Sequence, residues 1–168
     1  MSTDWGARPP INRTLISRNL PFVIIHHSES PAACFTTEDC KAKMRTIQDY
    51  HQEVKKWDDI GYNFAIGGDG NIYEGRGFNA VGAHAGQYND KSYGICFIGN
   101  WTYTVPPFRM VGKFWQLIDY AFANAYIHFN YTIIGHRQVR DTDCPGDAFF
   151  ENIKKWTGFS RFFHNVTN

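Results

Sequence analysis

The run Phe22-Val23-Ile24-Ile25-His26-His27 constrains this chain more than any other feature. It is continuously apolar and β-branched before its histidines, the pattern of a strand buried on both faces, and it places His26 at the strand's exit. The rest of the chain supplies partners for such a strand. From Thr36 or Thr37, a good N-cap, Cys40, Met44, Ile47, His51 and Val54 recur at helical spacing and predict a helix to about Lys55. Tyr62 to Ile66 and Asn71 to Tyr73 flank the turn Gly67-Gly68-Asp69-Gly70 and read as an antiparallel hairpin, with Tyr62 on its first strand. Tyr93 to Ile98 is a further buried strand. Pro106-Pro107 opens a long helix whose stripe is Met110, Phe114, Leu117, Ile118, Ala121, Phe122 and Ala125. Tyr131 to Ile134 reads as a strand ending at Gly135-His136, and Pro145-Gly146-Asp147 starts a last helix through Ile153 to about Trp156. The fold class expected is α/β, with a mixed central sheet flanked by about three helices.

At 168 residues the chain fits one domain, long enough to bury a proper core. Its net charge of +1 comes from basic residues scattered among acidic ones, so no nucleic-acid partner is expected. No run reaches the roughly 18 to 20 apolar residues of a membrane span, and MSTDWGARPP lacks the pattern of a signal peptide. Cys34 and Cys40 lie around the turn-like segment Phe35 to Asp39, close enough for a small loop disulfide, which persists only in oxidising compartments. Asn-x-Ser/Thr sites occur at Asn12, Asn100, Asn130 and Asn165 and add modest weight in the same direction. The expectation is a secreted, monomeric protein whose signal peptide has been removed; a cytosolic protein with free thiols is the alternative.

The chemistry concentrates in FVIIHHS, GYNFAIGGDG and GHRQVRDTDCPG, which together offer His26, His136, Cys144 and the phenol of Tyr62. Two imidazoles and one thiolate make a zinc shell with one position open, the composition of a hydrolytic rather than a structural site. His26 and His136 both end strands, where ligands of α/β sheets usually lie. Cys144 sits in a Pro-Gly loop leading into a helix, where the helix N-terminus and a cation would favour thiolate. Taken singly, His26 reads as a structural histidine and Cys144 as a buried thiol; Cys96, inside GICFIG, is expected to be inert. A cysteine hydrolase using Cys144 with His136 as base is the metal-free alternative.

From WGARPP to Trp156 the chain resembles a peptidoglycan recognition protein, the animal relative of phage-type zinc N-acetylmuramoyl-L-alanine amidases. The matching pieces are WGARPP, VIIHHS, the Cys34/Cys40 pair, YHQ at Tyr50 to Gln52, DIGYNFAIGGDGNIYEGRGFN, GAHAGQYN, GICFIGNW and GHRQVRDTDCPG. The domain core thus runs from about 5 to 156, followed by a tail over 157–168 that carries Phe159, Phe162, Phe163 and His164, with packing on the domain expected. The resemblance implies zinc on His26, His136 and Cys144, with Tyr62 and Thr142 completing the site of amidase-competent members. Members that only bind usually lack the cysteine, so an enzyme is implied, with a binding-only receptor of immune signalling as the alternative.

The implied reaction splits the amide between the lactyl group of N-acetylmuramic acid and the L-alanine of the stem peptide. Tyr62 is suited to hydrogen-bond the oxyanion and Thr142 to orient water or substrate. No HExxH helix supplies a Glu base, so the proton carrier is unassigned. In this family, meso-diaminopimelate stems go with a Gly-Trp pair before the GYNF strand and an Arg in the EGRG turn. Here those positions hold Lys56-Trp57 and Arg76; the guanidinium can pair with the extra carboxylate, Trp57 would wall the pocket, and Lys56 departs from the pattern. By the same resemblance His51, His84 and Asn89 line the groove and bind muropeptide. Destroying such a ligand would damp immune signalling or act directly against bacteria.

Overall fold

The computed structural model describes residues 4–161. Its centre is a five-stranded sheet built from β1 (Leu20–His27), β2 (Phe64–Ile66), β3 (Ile72–Glu74), β4 (Ser92–Phe97) and β5 (Ile127–Gly135), in the order β3-β2-β4-β1-β5. β1 runs parallel to both β4 and β5, and β2 parallel to β4; only the β2-β3 hairpin is antiparallel. The expected buried strand is therefore an interior strand of the sheet, paired on both sides. Val23, Ile24 and Ile25 are fully buried because helices and loops cover both of its faces.

Successive side chains on a strand point to opposite faces, and this divides the core in two. Val23, Ile25, Tyr93, Ile95, Phe97 and Ile133 meet α2 (Phe108–Ala123) and α3 (Asp147–Ile153) through Met110, Phe114, Leu117, Ile118, Ala121, Phe149 and Ile153. Each Val, Leu, Ile, Phe and Met among these contributes roughly 1.5–3 kcal/mol by burial. On the opposite face Ala65, Cys96 and Ile98 pack with Met44 and Ile47 of α1 (Thr37–Asp49), which starts where Thr36 accepts a hydrogen bond from Asp39 N. His26 pairs in register with Cys96, one strand end beyond the cover of α1. Loops close that corner, and the candidate site lies there.

Several boundaries differ from the sequence reading. The first helix changes at Tyr50 into a π-helical turn, Tyr50–Val54, closed by Lys55 N donating to Tyr50 O. Tyr62 precedes β2 rather than belonging to it. Phe122 is 52% exposed, and Ala125 lies beyond the helix end at a positive φ of 55°, so neither joins the buried stripe. α3 stops at Ile153, yet Trp156 still packs against Phe114 and Phe149. Phe159 packs on the core and bridges Ile133, as expected of the tail, whereas Phe162, Phe163, His164 and Asn165 lie outside the described residues. Cys34 and Cys40 form a disulfide. Asn12, Asn100 and Asn130 are exposed, and no helix among the described residues is long and apolar enough to cross a membrane.

Candidate metal centre

Two strand ends and one loop build the centre. β1 delivers His26 and β5 delivers His136, while residues 136–146 fold back so that Arg137 N donates to Cys144 O at 2.9 Å. Gly146 permits that fold: it has a φ of 95°, and a Cβ there would lie 2.5 Å from the Trp101 carbonyl carbon. The loop thus docks on the Trp101 main chain, and Cys144 turns toward His26. Its Sγ stands 3.7 Å from His26 Nδ1 and accepts from His27 N at 3.4 Å. The His26 and His136 rings are 4.3 Å apart, and one ligand atom from each of His26, His136 and Cys144 lies within 4.8 Å of the others.

A cleft of about 330 Å³ opens over this set. Tyr62, His51, Trp57, His84 and Thr142 all border it. Tyr62 faces His26 with ring centroids 5.3 Å apart. His51, on the π-helical turn, accepts from Gly61 N through Nδ1 at 2.9 Å and lies 4.7 Å from the Trp57 ring. The Thr142 hydroxyl accepts from Cys144 N at 3.2 Å. A roomier cavity, about 430 Å³, lies between β3 and α2, but no histidine or cysteine lines it, so the chemistry belongs to the smaller cleft.

Two expected groove residues stand elsewhere. Arg76 is tied back to main-chain carbonyls, Nε to Ile60 O at 2.8 Å and NH1 to Val81 O at 2.9 Å, and does not border the cleft. Asn89 spends its side-chain oxygen on His84 N and Ala85 N. Conversely, Ser28, Glu29, Tyr50 and Lys55 border the cleft although nothing in the sequence reading picked them out. Tyr50 stood inside the YHQ match and Lys55 beside Lys56-Trp57, so adjacency to the motifs was the available signal.

Burial sets the charge state of the centre. It holds His26 well below the ordinary histidine range, reinforced by neighbouring His136 and His84. His136 falls to about 4 through burial and the charge of Arg140, and His84 to about 3 through burial and His136. The Cys144 thiol is pushed up to about 12, burial outweighing the His27 N–H and the charge of Arg137. The expectation that the helix start and a cation favour thiolate is thereby corrected for the protein's own atoms. Neutral imidazole beside neutral thiol is no nucleophilic ion pair, but it is a set of two ready ligands and one that ionises on meeting a metal. Tyr62 is held well above the ordinary phenol range by burial and by Cys96 and Cys144, so its hydroxyl keeps its proton.

Three donors at two strand ends and a loop, beneath an open cleft, give this α/β sheet the donor set and open side that metal hydrolases use. Comparison with known proteins places the chain more closely. Residues 17–147 match the family model described as N-acetylmuramoyl-L-alanine amidase, and the chain belongs to that family, in its peptidoglycan-recognition branch. It is 51% identical to peptidoglycan-recognition protein LB of Drosophila melanogaster over 94% of this chain and 68% of that protein. A solved Drosophila PGRP-LB mutant in complex with tracheal cytotoxin superposes with a TM-score of 0.93 at 50% identity, covering 94% of each chain. Peptidoglycan recognition protein LE, solved with tracheal cytotoxin described as monomeric diaminopimelic acid-type peptidoglycan, superposes at 0.92 with 33% identity over 94% of this chain and 93% of that one.

Proposed function

We propose that this chain is a secreted, zinc-dependent amidase that hydrolyses the lactyl to L-alanine amide of diaminopimelate-type peptidoglycan. The clustering of His26, His136 and Cys144 carries the reading. Tetrahedral zinc, with bonds of about 2.0–2.1 Å to nitrogen and 2.3 Å to sulfur, puts those atoms about 3.5 Å apart. The 3.7 Å between Cys144 Sγ and His26 Nδ1 fits that separation. His26, through Nδ1, His136 and Cys144 would hold the ion. When bound, zinc supplies a Lewis acid for the scissile carbonyl and a water acidified to a pKa of about 7.

The chain's own residues do the rest. Tyr62 keeps its proton and borders the cleft beside His26, so it donates to the oxygen on which charge develops. Thr142 accepts from Cys144 N, which leaves its hydroxyl proton to orient water or substrate. His51 and Trp57 wall the far end, where burial first and then the charges of Arg76 and Lys55 lower His51. Lys55 borders that end and gives it a charge suited to the carboxylates of the stem, while Arg76, held to Ile60 O and Val81 O behind the wall, adds its charge without lining the cleft. The solved relative with diaminopimelic acid-type peptidoglycan supports this preference. The Cys34–Cys40 disulfide and the exposed Asn12, Asn100 and Asn130 support an extracellular location.

The test incubates the protein with a diaminopimelate-type and a Lys-type muropeptide, with chelator and with added zinc, and follows free stem peptide by mass spectrometry. Release that vanishes with chelator, returns with zinc and favours diaminopimelate is expected. Intact substrate throughout, in a protein that still binds it, would replace the enzyme by a receptor.

A further inference from the structure

Ligation through His26 Nδ1 leaves its other nitrogen to be accounted for. A ligating nitrogen is bare, so the imidazole proton of His26 must sit on Nε2, and a buried N–H needs an acceptor. His26 is 2% exposed, and its Nε2 lies 2.9 Å from Nδ1 of His84. The two rings stand at 88° with centroids 4.9 Å apart, and the two nitrogens make the hydrogen-bond contact between them. His84 is itself 8% exposed, and an imidazole nitrogen without a proton is an acceptor.

The position of His84 is set by features that need no ligand. Asn89 Oδ1 holds its main chain by accepting from His84 N at 2.9 Å and Ala85 N at 2.7 Å. The ring then presses on two glycines: a Cβ on Gly94 would come within 2.5 Å of His84 Cγ, and one on Gly82 within 2.5 Å of Cδ2. Gly94 pairs in register with Ile24, two residues before His26, so the imidazole lies flat on the strand next to the one it serves. The Gly-Ala-His stretch and its Asn89, which the resemblance assigns to muropeptide binding, thus form a seat for one ring.

We propose that His84 is a positioning residue of the metal centre, whose Nδ1 accepts the Nε2 proton of His26 and fixes the tautomer and ring angle in which His26 Nδ1 faces the metal. The proposal rests on the zinc reading above. It explains a feature that stability alone does not. His84 Nε2 is buried without a well-aligned hydrogen-bond partner, the Ser92 main chain acting on the ring only weakly, and a polar group so placed gains less than an apolar one of the same shape. A histidine kept there for packing is unfavourable; one kept for its Nδ1 is not.

The test measures zinc affinity of the metal-free protein by competition with a chromophoric chelator, for wild type, His84→Leu and His84→Asn. Leu removes the acceptor, whereas the Asn side-chain oxygen can stand near the place of Nδ1. His84→Leu is expected to bind zinc roughly 10–100-fold more weakly, while its metal-free form melts no lower than wild type and His84→Asn recovers most of the affinity. Equal zinc affinity in wild type and His84→Leu overturns the proposal. Nitrogen NMR of zinc-loaded wild type decides even if His84→Leu does not fold: a protonated His26 Nε2 with metal on Nδ1 supports it, and coordination through Nε2 overturns it. Wild type that takes up no zinc at all sinks the zinc reading itself, an outcome distinct from wild type and variant binding alike.

Discussion

At the residue scale, the centre is a set of groups whose protons are already arranged for a metal. Burial and neighbouring charge hold His26 well below the ordinary histidine range and His136 at about 4, so both are neutral at pH 6, whereas Cys144, pushed up to about 12, still carries its proton. Zinc uptake at pH 6 should therefore release about one proton per ion, all of it from the thiol. Titration calorimetry in buffers of different ionisation enthalpy measures this number; two or more protons would mean charged histidines in the free site. Gly94→Ala tests the seat of His84. Its backbone accepts a side chain, but the new methyl would strike the imidazole, so a loss of roughly 1–3 kcal/mol in urea unfolding is expected, and an unchanged midpoint would show that the ring moves freely. These residues were unequally legible. His26, His136 and Cys144 could be read because ligand chemistry and strand ends both appear in a linear sequence. The anchoring of Arg76 to Ile60 O and Val81 O could not, since main-chain acceptors have no sequence signature.

At the element scale, α1 and the turn after it position one wall of the cleft. The helix N-terminus is fixed by the Thr36 cap and by the Cys34–Cys40 bond, which packs under the β2-β3 turn, where a Cβ on Gly67 would come within 2.8 Å of Cys40 Sγ. Its C-terminal end widens into the π-helical turn that carries His51, held from below by Gln48, which donates to Asp59 at 2.8 Å. Closing so short a loop restricts the unfolded chain, and the loop-entropy relation gives about 2 kcal/mol for it. Reduction by a phosphine should lower the urea unfolding free energy by about that amount, with little change in the diaminopimelate preference, because Trp57 and Lys55 lie at the other end of the element. A preference lost on reduction would show that the disulfide acts on the cleft itself. The helix was legible from its cap and spacing, but the widened turn was not: apolar spacing continues through Val54, which is in fact 64% exposed.

At the scale of the whole molecule, sequence periodicity revealed which segments form strands but not their neighbours, because β1 meets β4 and β5 across long loops. What the assembled sheet adds is a concentration of buried histidines, and this gives the metal-free protein a definite acid sensitivity. His27 and His51 are each lowered to about 4, as is His136, burial being the leading cause in all three, aided by Arg137, Arg76 and Arg140 respectively. In the unfolded chain the same groups return to about 6.5. Between those values the unfolded state binds more protons than the folded one, so stability rises with pH there and is complete above about 6.5. His51 alone accounts for at most about 3 kcal/mol of this difference, a large share for a domain whose total is on the order of 5–15 kcal/mol. Protonation would also remove the acceptor that His51 gives to Gly61 N, so the wall of the cleft and the fold fail together. Urea midpoints of the metal-free protein should hold steady from pH 8 to 7 and fall progressively from 6.5 toward 4. Saturating zinc should raise the midpoint wherever it binds but steepen its fall with acid, since the zinc-bound site holds one proton fewer than the free one and acid therefore opposes zinc uptake as well as folding. A midpoint that stays flat down to pH 4.5 without metal would show that these imidazoles are solvated, and the neutral, metal-ready centre would have to be abandoned with them.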